Sequence, residues 1–134
     1  MKKYAILITF LLVICLFVTA FLVRDQILAN KMIEKYSDDK NYVTLVGEIV
    51  ELNGNSVVIK CEEAIRFELC EYCIYSDQLI ELQIGEQIEF STVLFHFYNG
   101  HKLPIVEIKK DGSTILSFEE GKGNLIDWVN ANFK

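Results

Sequence analysis

Apolar and polar positions follow three rhythms along this chain. From Tyr4 to Val23 no charged side chain occurs in 20 positions. From Ile27 to Tyr36 the apolar residues Ile27, Leu28, Met32, Ile33 and Tyr36 recur at helical spacing. From Tyr42 onward apolar and polar residues alternate, the rhythm of half-buried strands.

The alternation predicts elements one by one. Tyr42 to Cys61 alternates, breaks at Asn53-Gly54-Asn55 and alternates again, which reads as a hairpin. Val43, Leu45, Gly47 and Ile49 share the inner face of its first strand, and Gly47 in mid-strand predicts a bulge or sharp bend. The second strand sets Val57, Ile59 and Cys61 against Val58, Lys60 and Glu62. A turn at Glu62-Glu63 leads to a third strand with Ile65, Phe67 and Leu69 on the core face. The period is lost from Ile74 to Leu82, where a short helix or an irregular crossing segment fits. Gly85-Glu86 turns the chain into a fourth strand from Gln87 to Phe97. Asn99-Gly100 is a hairpin signal, Lys102 to Lys110 a fifth strand, and Asp111-Gly112 a further turn. Thr114 to Phe118 suits a short extra strand. Leu125 to Phe133 reads as a terminal helix with Asn124 as its N-cap.

The apolar run sets the address. Twenty residues at about 1.5 Å each reach roughly 30 Å, enough to cross the hydrocarbon layer. Val18-Thr19-Ala20 offers a cleavage site, but Phe21-Leu22-Val23 carry the run past it, so an uncleaved anchor is expected. Ile14 is too large for the lipobox-like Leu12-Val13-Ile14-Cys15, which leaves Cys15 as a lipid-facing residue. The chain then divides into a basic start at 1–3, an anchor at 4–23, a helical stalk and linker at 24–41, and a β domain at 42–134. The stalk stripe suits packing on the domain or the lipid surface better than dimerisation. Lys2-Lys3 ahead of the run resembles an export signal and places the domain outside the cytoplasm. Beyond Val23 the chain carries 11 Lys and Arg against 19 Asp and Glu, a net charge of −8, which argues against nucleic-acid binding.

Three meandering strands, a connector and a two-strand hairpin follow the order of the OB-fold. The stretch Leu79-Ile80-Glu81-Leu82-Gln83-Ile84-Gly85-Glu86-Gln87-Ile88-Glu89-Phe90 resembles the end of an OB-fold connector entering strand four. Gly47-Glu48-Ile49 resembles its bent first strand. The likeness spans about residues 42 to 110 and implies a five-stranded OB-like barrel with a binding face on strands two and three. A small SH3-like barrel or open sandwich is the fold alternative. On the implied face Lys60, Arg66 and Tyr72 are the expected ligand-binding residues.

Candidate chemistry is sparse. Cys70-Glu71-Tyr72-Cys73 has C-x-x-C spacing, but it follows a strand instead of opening a helix, against a redox motif. Cys61, Cys70 and Cys73 are candidates for one disulfide, with all three pairings open. A zinc site needs a fourth ligand from His96 or His101 and lacks a second paired knuckle, so no metal and no cofactor are expected. Phe95-His96-Phe97-Tyr98, Tyr72 and Tyr75 suit packing more than base or sugar stacking. Carboxylates such as Glu48, Glu51, Glu62, Glu63, Glu68 and Glu71 are what strand polar faces carry by default, and no nucleophile triad or phosphate loop occurs. The expectation is a non-catalytic, membrane-anchored binding module for a protein or small envelope ligand. An envelope thiol or metal protein using Cys61, Cys70 and Cys73 is one alternative. A cytoplasmic single-strand nucleic-acid binder is another.

Overall fold

The chain is represented by a computed structural model that describes residues 2–62, 69–76, 78, 80–95 and 102–133. Helix α1 runs unbroken from Lys2–Ser37, since no Gly or Pro interrupts it. It ends where the side chain of Asp38 accepts a hydrogen bond from the Lys40 amide at 3.1 Å and starts a 3₁₀ turn, Asp39–Asn41. The strands follow as β1 (Tyr42–Asn53), β2 (Ser56–Cys61), β3 (Leu69–Ile74), β4 (Gln87–Val93), β5 (Leu103–Lys110) and β6 (Ser113–Leu116). Helix α2 (Phe118–Phe133) closes the order.

The pairings close a ring. Strands lie in the order β3-β2-β1-β4-β5-β6, and β3 also pairs in parallel with β5. Each of β1 to β5 therefore has two neighbours among the other four, which is the OB-like arrangement expected. β6 extends the sheet from β5. Inside the ring, Ile59, Ile88, Phe90, Ile105 and Ile108 are fully buried, each worth about 1.5–3 kcal/mol of transfer free energy. Gly47 lies opposite Cys61, and a Cβ there would stand 2.7 Å from the Lys60 carbonyl oxygen. The expected irregularity comes three residues later: the register slips at Val50, so the inner face passes from Leu45 and Ile49 to Leu52.

A second layer sits outside the ring. Ala29, Met32 and Tyr36 of α1 cluster with Leu125 and Val129 of α2 and with Val93 and Val106 on the outer side of β4 and β5. The stalk stripe packs on the domain. Lys122 pairs with Asp39 at 2.6 Å, just past the end of α1. With its first turns at Asp39 and its later residues clustered with Ala29 and Met32, α2 runs back along α1 toward the apolar segment.

Three expectations are corrected. β3 occupies Leu69–Ile74 and turns Tyr72 and Ile74 inward, leaving Leu69 60% exposed. Its register, with Lys60 opposite Leu69, requires a longer connection than a turn at Glu62-Glu63. Ile65 and Phe67 lie outside the described residues, as does the Asn99-Gly100 turn. β4 ends at Val93, not at Phe97. α2 begins at Phe118, seven residues ahead of Leu125. Ser117 caps it: its Oγ accepts from the Glu120 amide at 3.4 Å and its carbonyl from Gly121 at 2.9 Å. Asn124 lies inside the helix.

Candidate functional site

The face implied for ligand binding is divided by the pleat. Lys60 points outward from β2, opposite Leu69 of β3. Tyr72 points inward, 1% exposed, with its ring 5.0 Å from Phe90 in an edge contact. Its hydroxyl lies 3.8 Å from Cys61 Sγ, and burial pushes its pKa upward. Lys60 and Tyr72 therefore cannot meet one ligand, and Tyr72 is a core residue. Arg66 lies outside the described residues.

The sheet sets one of the three cysteines of the β domain apart from the other two. All are free thiols. Cys61 and Cys70 belong to the interior, while Cys73 sits on the outer side opposite Ser56. Residues three apart on a strand face opposite sides, so Cys70 and Cys73 cannot join in a disulfide without breaking β3. Cys61 and Cys73 are divided by the sheet. Burial raises the thiol pKa of both Cys70 and Cys73, which disfavours the thiolate that redox chemistry requires. Among the described residues no three His, Cys, Asp or Glu side chains are grouped as metal ligands. His96 and His101 lie outside those residues.

A concave feature of the domain lies elsewhere, at one end of the closed sheet. A cleft of about 460 Å³ opens between the β1–β2 hairpin, the end of β3 and the connector before β4. This volume lies in the range of small-molecule sites. Leu52, Val57, Ile74, Ile80 and Leu82 form its apolar walls. Asn55, Ser56, Ser76 and Gln78 supply polar groups, and among the described residues no charged side chain lines it.

Local sequence builds each wall. Gly54 takes a positive φ of 62°, which lets the hairpin turn in two residues between Asn53 and Ser56. The turn bends back onto β3, where the Ile74 amide donates to the Asn55 carbonyl at 2.8 Å. Gly85, with φ of 90°, sends the other wall into β4, and its amide donates to the Ile49 carbonyl at 2.7 Å. The described connector residues between them are irregular, so no helix covers the sheet end there. On the neighbouring outer surface Lys102 bonds the Ser56 hydroxyl and pairs with Glu71 at 2.8 Å.

Sequence reasoning missed this cleft. Its signal was present: Ile80 and Leu82 are apolar on a segment without a secondary-structure period, so the sheet end they cover is only partly filled. The outer layer carries a group of packed aromatic rings. Tyr75 follows β3 and packs on Trp128 of α2 at 4.8 Å, and Trp128 meets Phe133 at 5.6 Å.

Comparison with family models and with curated proteins finds no match to this chain. Among solved structures it is similar to the crystal structure of Ag(I)CusF, at 14% identity and a TM-score of 0.39. That likeness covers 52% of this chain and 97% of the other. The functional reading rests on this chain's own residues.

Proposed function

We propose that this protein is a membrane-anchored, non-catalytic binding module whose ligand occupies the cleft between Leu52, Ile74 and Leu82. The observation that carries it is a cleft of about 460 Å³ at the end of the sheet, whose described lining residues are uncharged and mostly apolar. The helix Lys2–Ser37 is long and apolar enough to cross a membrane and is unburied over its apolar window, which supports the anchor. The walls of the cleft select an uncharged or weakly polar group, and Ser76 and Gln78 offer it hydrogen bonds at the mouth.

Native mass spectrometry of the full chain, released from detergent, tests the ligand. The expected result is a small-molecule adduct, lost in Ser76→Trp, a variant that fills the mouth while leaving the circular dichroism spectrum unchanged. An adduct that persists in Ser76→Trp, or a bare wild-type chain, would overturn the cleft as the site. The basic start before the apolar run supports placing the domain outside the cytoplasm. A cysteine at exposed Gly123 (Gly123→Cys) should then react with a membrane-impermeant maleimide in intact cells. Reaction only after lysis reverses the orientation.

A further inference from the structure

Helix α2 is aimed back at the foot of the stalk. Resting on the membrane anchor of the reading above, we infer that the last turn of α2, Asn130 to Phe133, is a lipid-contact surface whose partner is the phospholipid headgroup layer around α1. Two registers between the helices set its depth. Ser37 stands roughly 21 Å beyond Val23, where the apolar run ends. Lys122 meets Asp39 just past that point, and the helix from Lys122 to Phe133 descends roughly 16 Å. Phe133 is left roughly 5 Å above the apolar run. The packed stripe gives the same depth. Ala29, Met32 and Tyr36 cluster with Leu125 and Val129, which sets Met32 level with Asp127. Met32 lies roughly 13 Å above Val23, and from Asp127 to Phe133 the helix descends roughly 9 Å.

Each headgroup layer is about 5–8 Å deep, so the end of α2 reaches into it. Helix α1 is unburied over its apolar window, so lipid stands directly below Phe133 beside the span. The side chains of α2 divide at the same level. Glu119, Glu120, Lys122 and Asp127 stand higher, and no charged residue occurs from Trp128 to Phe133. A charge entering a half-dehydrated layer gives up hydration, and Asp127 stays clear of it. In the last turn Ala131 and Asn132 are exposed, and the half-buried Phe133 ring rests on Trp128 at 5.6 Å. Amides beside an aromatic ring suit a layer that offers both water and hydrocarbon. The contact continues the lipid-facing surface of α1 and gives the domain a second hold on the bilayer.

A single movable tryptophan tests the depth. The chain's one tryptophan is removed in Trp128→Phe, and Leu12→Trp, Gly123→Trp or Asn132→Trp is added to the full chain. Each is reconstituted in vesicles of phosphatidylcholine and phosphatidylglycerol that carry a nitroxide on the headgroup or at the end of an acyl chain. Asn132→Trp should be quenched by the headgroup nitroxide and spared by the acyl one. Leu12→Trp should be quenched by the acyl nitroxide. Gly123→Trp, exposed higher on α2, should be spared by both. Equal quenching of Asn132→Trp and Gly123→Trp would overturn the lipid contact and leave the anchor in place. Leu12→Trp spared by the acyl nitroxide would remove the anchor, and the membrane part of both readings with it. The wild-type chain guards against a misfolded variant. A headgroup diazirine should label a peptide containing Asn130 to Phe133, and labels confined to Lys2–Ser37 would overturn the contact.

Discussion

At the scale of single residues, burial of phenols is the recurring theme. Tyr36 is 6% exposed, and burial pushes its pKa up to about 12 from 10.0. Tyr42, Tyr72 and Tyr75 are pushed upward as well, burial being the largest cause in each. A group whose folded pKa exceeds its unfolded value stabilises the fold fully below the unfolded pKa. That stability is lost as the pH rises through the folded value. The urea midpoint should therefore change little on account of these phenols below pH 10 and fall between pH 10 and about 12, with a shallower fall in Tyr36→Phe. A Tyr36→Phe chain as steep as wild type would show that this phenol is already solvated. The identity of these residues as aromatics was plain in the sequence, but their direction was not. Tyr72 is placed on a surface when the odd positions of the third strand are read as its core face, whereas the strand turns its even positions, Tyr72 and Ile74, inward.

At the scale of elements, the strands were legible wherever a turn was chemically marked. Asp111-Gly112 takes positive φ at both residues, 51° and 77°, joining β5 to β6 in the two-residue manner such a pair favours. Asn53-Gly54 marked the first hairpin, where Gly54 takes the positive φ and Asn53 pairs with Ser56. The third strand had no such mark, since Glu62-Glu63 lacks a turn-specific backbone, and its frame was misread. Helix α2 was misread for a different reason. Gly121 and Gly123 weaken helical propensity by about 1 kcal/mol each and hide its first turns. Yet Ser117-Phe118-Glu119-Glu120 carries the capping-box spacing that announces its start.

Gly121 is there for packing. A Cβ on it would lie 1.9 Å from the Val106 carbonyl oxygen, so the helix rests directly on the β5 backbone. Gly121→Ala should cost about 1–3 kcal/mol in denaturant unfolding, as overpacking does. Gly123 has open space where its Cβ would be, so Gly123→Ala should be neutral or stabilise by up to about 1 kcal/mol. Equal effects at the two sites would mean that α2 does not rest on β5 through Gly121.

At the scale of the whole molecule, the expected architecture was recovered because it depends on sums over many residues. An apolar run, a helical stripe and a set of alternating segments each average over local error. The candidate site was not recovered, because a cleft is a deficit of filling at one place, and no periodicity records what is missing. Ile80 and Leu82 read as part of a connector, and they are walls.

The unbroken helix has a mechanical consequence. Between Lys2 and Ser37 there is no Gly or Pro to serve as a joint, and Ala29, Met32 and Tyr36 clamp its upper part to the domain. Set in a bilayer, the span and the domain move as one lever. Transmembrane helices tilt by about 20° on average, and more when the bilayer is thin for their length. Over the 14 residues between Val23 and Ser37, such a tilt carries the far end roughly 7 Å sideways. Bilayer thickness would thus turn a property of the surrounding membrane into a displacement of the domain.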